Sequence, residues 1–143
     1  MPSNKNLPLV RQQLDKTLTR FDSVIDLAPP SRGWIRAIRN ALGMSGRQLS
    51  IRLGLTQQSV ARMEKDEATG ALTIKTLKRV AESLDCVFVY GIVPRESLES
   101  MVNDRARLIA GEPDPEENKE ITRDMIEDLV DKMPRHFWDT PKN

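Results

Sequence analysis

The sequence predicts a mainly α-helical fold: a helix-turn-helix domain with an N-terminal helix, one short β-strand and C-terminal helices. Three observations predict it. In residues 45–65, Leu49 and Leu53 share one helical face, Gly54 follows as a stop, and Thr56 can cap a second helix carrying Val60 and Met63 inward, so two short helices are joined by a tight turn. Elsewhere apolar residues recur at steps of three and four, the period of an amphipathic helix. Only residues 86–93, CVFVYGIV, have the β-branched and aromatic content of a strand.

Taken in order, residues 1–30 form an N-terminal amphipathic helix and a hinge. Leu7, Val10, Leu14, Leu18, Phe21 and Ile25 make one stripe, expected to be buried on the helix-turn-helix domain or on a second protomer, because a helix of this length is marginal alone. Pro29-Pro30 ends it, since the residue before a proline is pushed out of helical geometry. Residues 31–85 form the helix-turn-helix domain. Ser31 is expected to cap its first helix, with Trp34, Ile35, Ile38 and Leu42 inward, while Arg32, Arg36 and Arg39 lie elsewhere on that helix as solvating or phosphate-facing cations. Thr73 caps a later helix with Ile74, Leu77, Val80, Ala81 and Leu84 facing the core.

Residues 86–94 form the strand, which has no partner of comparable β character within the chain. It therefore either pairs with the same strand of a second protomer through Val87, Val89 and Tyr90, or packs on helices as a buried extended segment. Residues 95–143 form an acidic helical region. Pro94 is expected at the first position of its first helix, with Leu98, Met101, Val102, Arg105, Leu108 and Ile109 near one face and Gly111 closing it. A last helix, from about Glu116 to Lys132, sets Ile121, Met125, Leu129 and Met133 in a stripe. An aromatic tail, residues 134–138, follows.

Gly54 suits the turn because a helix-ending residue often adopts the left-handed conformation, which glycine reaches without a Cβ clash. With Thr56 as cap, Gln57, Gln58, Ser59 and Arg62 project from the first two turns of the second helix. Gln pairs bidentately with adenine and Arg with guanine or phosphate, and the N-terminal end of such a helix is the end that meets base edges. The bland reading of the same spacing is a plain αα-hairpin with a polar face.

Formal net charge is +1, but residues 31–80 hold ten Lys/Arg against three Asp/Glu, and residues 81–143 hold eight against fifteen. The basic surplus falls on the segment that would neutralise phosphates, with Arg36, Arg47, Lys65, Lys75 and Lys78 as the candidate contacts. The acidic part is expected to face solvent, another protomer or a different protein. Cys86 and His136 are the single cysteine and histidine, so no disulfide, metal cluster or cysteine-histidine pair is expected, and no cofactor is implied. No catalytic constellation or phosphate-binding glycine motif stands out, so the chain is read as a binder and not an enzyme. Without an apolar leader or a run long enough to span a bilayer, a cytoplasmic location is expected, with no membrane partner.

The stretch resembles the phage-repressor type (XRE-like) helix-turn-helix on Leu49, Leu53, Gly54, Leu55, Thr56, Gln57, Val60, Arg62 and Glu64, which implies a lambda-repressor-like domain. Gly46 stands where that family usually has a phosphate-contacting Gln, Ser50 replaces a small buried Ala, and Asp66 lies where a glycine usually follows Glu64. Over a longer run, Trp34 to Leu49, then Thr76 and Leu77 through Val87, Tyr90 and Pro94, the chain is similar to the mobile mystery protein A family. Members resemble antitoxin-type repressors encoded beside a Fic-domain protein. That resemblance implies an autorepressor and antitoxin of a Fic-type toxin-antitoxin module, a homodimer on a palindromic double-stranded DNA operator, with the Fic-domain protein as a further partner. Several Fic inhibitors carry Ser/Thr-x-x-x-Glu followed by Gly or Asn. Here the nearest match, Ser100 with Asp104 and Arg105, lacks both the Glu and the small residue. A protein-interaction adaptor that no longer reads DNA and a stand-alone transcription factor are the alternatives.

Overall fold

The computed structural model describes residues 6–111 and 119–139. The chain divides into two compact units, Asp26–Gly91 and a second built from Met1–Ile25 with Ile92–Asn143.

The first unit contains four helices, α2 (Trp34–Ala41), α3 (Gly46–Leu53), α4 (Gln57–Thr69) and α5 (Ile74–Ser83), while α1 (Leu7–Leu18) belongs to the other unit. Their inner stripes meet in a core of Ile35, Leu49, Leu53, Val60, Val80 and Leu84, with Ile38, Met44, Leu55, Met63, Leu72, Leu77 and Cys86 packed around it. Each fully buried Leu or Val contributes about 1.5–3 kcal/mol over the exposed state, so this shared core holds α3 and α4 in place. Trp34 and Leu42, expected inside, stand 46% and 59% exposed. Trp34 is the first residue of α2 and Leu42 lies just past its end, so Ile35 and Ile38 take the core.

The turn between α3 and α4 follows its local chemistry. Ser45 and Gln48 form a capping box, the Gln48 amide donating to Ser45 Oγ at 3.1 Å and the Ser45 amide to Gln48 Oε1 at 2.8 Å. Gly54 ends α3 at φ 67°, in the left-handed region. Thr56 Oγ1 accepts from the Ser59 amide at 3.1 Å to start α4, and Thr73 Oγ1 accepts from Thr76 at 3.2 Å to start α5. Ser50 is buried, and its hydroxyl donates to the Arg47 carbonyl at 2.6 Å.

Ser31 does not cap α2. Gly33 precedes the helix at φ 89°, and the Ile35 amide donates to the carboxylate of Glu67, 3.0 and 3.3 Å from its two oxygens. A carboxylate from α4 thus supplies the anion that a helix N-terminus favours. Gly33 is required twice over: its φ is strained for any other residue, and an added Cβ would lie 2.7–2.9 Å from the Glu67 carboxylate.

In the second unit, α1 (Leu7–Leu18) continues into a 3-10 helix (Thr19–Val24), and α6 (Leu98–Ala110) and α7 (Lys119–Lys132) complete it. Helix α6 starts at Leu98 behind the cap Ser97, not at Pro94. Ser97 Oγ accepts from the Ser100 amide at 3.0 Å, and Asp15 of α1 accepts from the Leu98 and Glu99 amides at 2.7 and 3.2 Å. These satisfied first-turn donors place the start at Leu98, four residues after Pro94. Gly111 closes the helix as expected. Helix α1 presents a polar edge to α6: Arg11 is buried, with Nε donating to Glu99 Oε2 at 2.9 Å. Of the apolar stripe, Leu7, Leu18 and Phe21 are partly covered, while Val10, Leu14 and Ile25 are each 45% exposed.

Val102, Ala106 and Phe137 form the core of this unit, with Ile126, Leu129, Val130 and Met133 against them. The tail after α7 is therefore part of the packing. Phe137 is 2% exposed, Trp138 meets it edge-on with ring centroids 5.1 Å apart, and Arg105 binds the tail by donating to the Phe137 carbonyl at 2.6 Å and to that of Asp139. Arg105 serves the tail and not an apolar face. Leu108 is 70% exposed on α6. The side chain of Ile121 and the helix start near Glu116 lie outside the described residues.

The expected β-strand at residues 86–94 is not formed, and there is no strand among the described residues. The segment has no regular secondary structure and no ladder, because strand propensity is realised only against a neighbouring strand. Val87, Val89, Tyr90 and Ile92 stand 87%, 76%, 62% and 91% exposed. This also excludes the alternative of burial against helices within one chain. No helix among the described residues is long and apolar enough to cross a membrane.

Candidate nucleic-acid interface

The exposed face of α4 is set by what the helix buries. Val60 and Glu64 point inward, so Gln57, Gln58, Ala61, Arg62 and Lys65 stay outside. Thr56 holds the start of this helix, and the Gly54 turn fixes its angle to α3. Gln57 and Gln58 are free in the first turn, and Arg62 follows one turn later with its side chain 84% exposed, 4.0 Å from Asp66. Ser59 is placed differently. Its hydroxyl lies 2.9 Å from Thr56 Oγ1 and is partly covered, so it belongs to the cap as much as to the outward face.

Among the candidate phosphate contacts, Arg47 is exposed in the first turn of α3, behind the Ser45 cap, and Lys75 and Lys78 are exposed on the first two turns of α5. Lys65 is exposed on α4, and the half-buried Arg36 of α2 lines the same cleft. These cations stand on four helices whose relative positions the shared core sets.

Arg39 is not a solvating or phosphate-facing cation. It turns inward, with Nε 2.5 Å and Nη2 3.1 Å from the two Glu64 oxygens, while Nη1 donates to the Met44 carbonyl at 2.9 Å. The side chains are 13% and 9% exposed. Hydrogen bonding to Glu64 raises the Arg39 pKa above its ordinary value against the opposing effect of burial, with the Glu64 charge adding to the rise, so the guanidinium stays charged. The signal for this pair was present in the sequence: Val60 and Glu64, four apart on one inner face, bury a carboxylate that demands a cation. Arg52 and Arg79 are also spent on structure, donating to the Ser83 carbonyl at 3.1 Å and the Leu53 carbonyl at 2.7 Å.

The helix-turn-helix family model matches residues 35–88. This stretch is a helix-turn-helix domain. The match runs from the second residue of α2 to just past α5, so the helix-turn-helix domain coincides with the cation-rich part of the chain and carries the exposed glutamines of α4. Domains of this kind belong to DNA-binding transcription regulators. No curated protein and no solved structure matches the chain.

Proposed function

We propose that this chain is a homodimeric, sequence-specific repressor that inserts one α4 helix per protomer into successive major grooves of a palindromic operator. The observation that carries the reading is the outward row of Gln57, Gln58 and Arg62 on a capped helix of a helix-turn-helix domain. Gln57, Gln58, Ser59 and Arg62 touch bases in this reading. Arg36, Arg47, Lys65, Lys75 and Lys78 meet phosphates, which fix register without carrying sequence information.

Dimerisation through residues 86–94 supports two-fold symmetry on DNA. Val87, Val89 and Tyr90 are exposed on a segment of strand-like composition without a ladder, and pairing with an identical neighbour would supply the hydrogen bonds of one. The similarity to mobile mystery protein A supports the finer role: the protein represses its own two-gene unit and acts as antitoxin to the Fic-domain protein encoded beside it. With no Ser/Thr-x-x-x-Glu inhibitory pattern in the sequence, restraint of that partner runs through the acidic C-terminal region instead of an inserted glutamate.

Selection from a randomised duplex pool tests the DNA-binding part. An inverted repeat with half-site centres about 34–36 Å apart, one helical turn, is expected. Recovery of no enriched sequence would contradict it. Co-purification with the neighbouring Fic-domain protein tests the antitoxin part, and failure of the two proteins to associate would leave a stand-alone regulator.

A further inference from the structure

A cleft of about 380 Å3 lies between the start of α2 and the second half of α4, lined by Arg32, Arg36, Ala61, Glu64, Lys65 and Ala68. Three of its six lining residues are cations. The fourth charged group, Glu64, is neutralised by Arg39 and adds no net repulsion. Ala61 and Ala68 keep side-chain bulk out, leaving room for a group that the cations would surround. Arg32 and Lys65 are exposed and Arg36 is partly covered. Among the described residues, none forms an ion pair or side-chain hydrogen bond with Arg32, Arg36 or Lys65.

The position of the cleft identifies the anion. Gln57, Ala61, Lys65 and Ala68 follow one another along the outward row of α4 at steps of four, four and three. From Gln57 to Lys65 the helix advances about 12 Å, at about 1.5 Å per residue. The major groove is also about 12 Å wide. With Gln57 at base edges, Lys65 and the cleft beyond it reach the groove wall, where the backbone phosphates stand.

We infer that the Arg32–Arg36–Lys65 cleft seats a DNA backbone phosphate at the rim of the major groove, with Arg32 as a contact residue in addition to those assigned above. This rests on the DNA-reading role of α4. The clamp sets how far along the groove α4 can slide, and so holds Gln57 and Gln58 in register.

The test is fluorescence anisotropy on the selected operator duplex between 50 and 200 mM salt, for the wild-type chain, Arg32→Gln, Lys65→Gln and Gln57→Ala. Loss of one phosphate contact lowers the log-log salt slope by about 0.9, so a fourfold rise in salt weakens each cleft variant about 3.5-fold less than wild type. Base-pair discrimination stays as in wild type. A neutral methylphosphonate placed at each linkage in turn should weaken the wild type at one linkage per half-site and leave Arg32→Gln indifferent there. Wild-type slopes in both cleft variants, beside salt-sensitive wild-type binding and altered discrimination in Gln57→Ala, would overturn the clamp and leave the DNA reading standing. Absence of any duplex binding by the wild type would remove the DNA reading and the clamp with it.

Discussion

Substituting Glu64 by Gln removes the charge opposite Arg39 at nearly constant volume. The two side chains are 13% and 9% exposed, so solvent screens the pair little, and Arg39 is left with neutral acceptors alone, the Met44 carbonyl and the introduced amide oxygen. Breaking a buried ion pair from one side costs about 3–5 kcal/mol, because an uncompensated charge stays inside. In a domain of this size each kcal/mol moves Tm by about 4–8 °C, so Glu64→Gln should lower it by 12 °C or more, with a matching loss in urea unfolding. The double variant Arg39→Met, Glu64→Leu should return to within about 1 kcal/mol of wild type, since a well-packed apolar pair replaces buried charges at little net cost. The raised Arg39 pKa means that the arginine's share of this contribution is complete at neutral pH and fades as pH rises through the folded value, above the ordinary arginine range. A loss below about 1 kcal/mol in Glu64→Gln, or no recovery in the double variant, would refute the reasoning that burial makes this pair costly to break.

Gln57→Ala should lose about 1–3 kcal/mol of discrimination at one base pair in a competition titration. Lys75→Ala should instead weaken binding to every sequence and flatten the salt slope by about 0.9. Phe137→Ala should destabilise the second unit by about 3–5 kcal/mol, read by chemical denaturation, because Phe137 is 2% exposed between α6 and α7. Val89→Lys, at a site 76% exposed in one chain, should leave thermal stability of the protomer within about 0.5 kcal/mol of its value. The same substitution should shift sedimentation toward the monomer, and an unchanged dimer would show that residues 86–94 are not the contact.

The parts of the fold legible in the sequence are those whose chemistry is local. Leu49, Leu53, Gly54 and Thr56 encode the turn within eight residues, and Thr73 encodes its own cap. The parts that were not legible depend on partners far along the chain. Glu67 caps α2 from 32 residues away, Asp15 caps α6 from 83, and Arg11 meets Glu99 across 88. The first two overrode a local reading, Ser31 as cap and Pro94 as first helical residue, and the third put a buried arginine on the α1 face that meets α6. Residues 86–93 show the same limit for strands, because β-branched content marks a willingness to pair and pairing needs a second strand. Of the candidate site, the glutamine row was readable from helical spacing. The inward turn of Arg39 was readable only by asking what a buried Glu64 requires, and the cleft that adds Arg32 needs two helices in place.

The central claim is specific recognition of DNA, and a mobility-shift titration of the purified chain on its own upstream DNA tests it most directly, with unrelated duplex as competitor at two salt concentrations. A shifted complex that resists the competitor and weakens as salt rises is the predicted result. Binding that unrelated duplex displaces as readily as the upstream fragment, or no complex at either salt concentration, would contradict it.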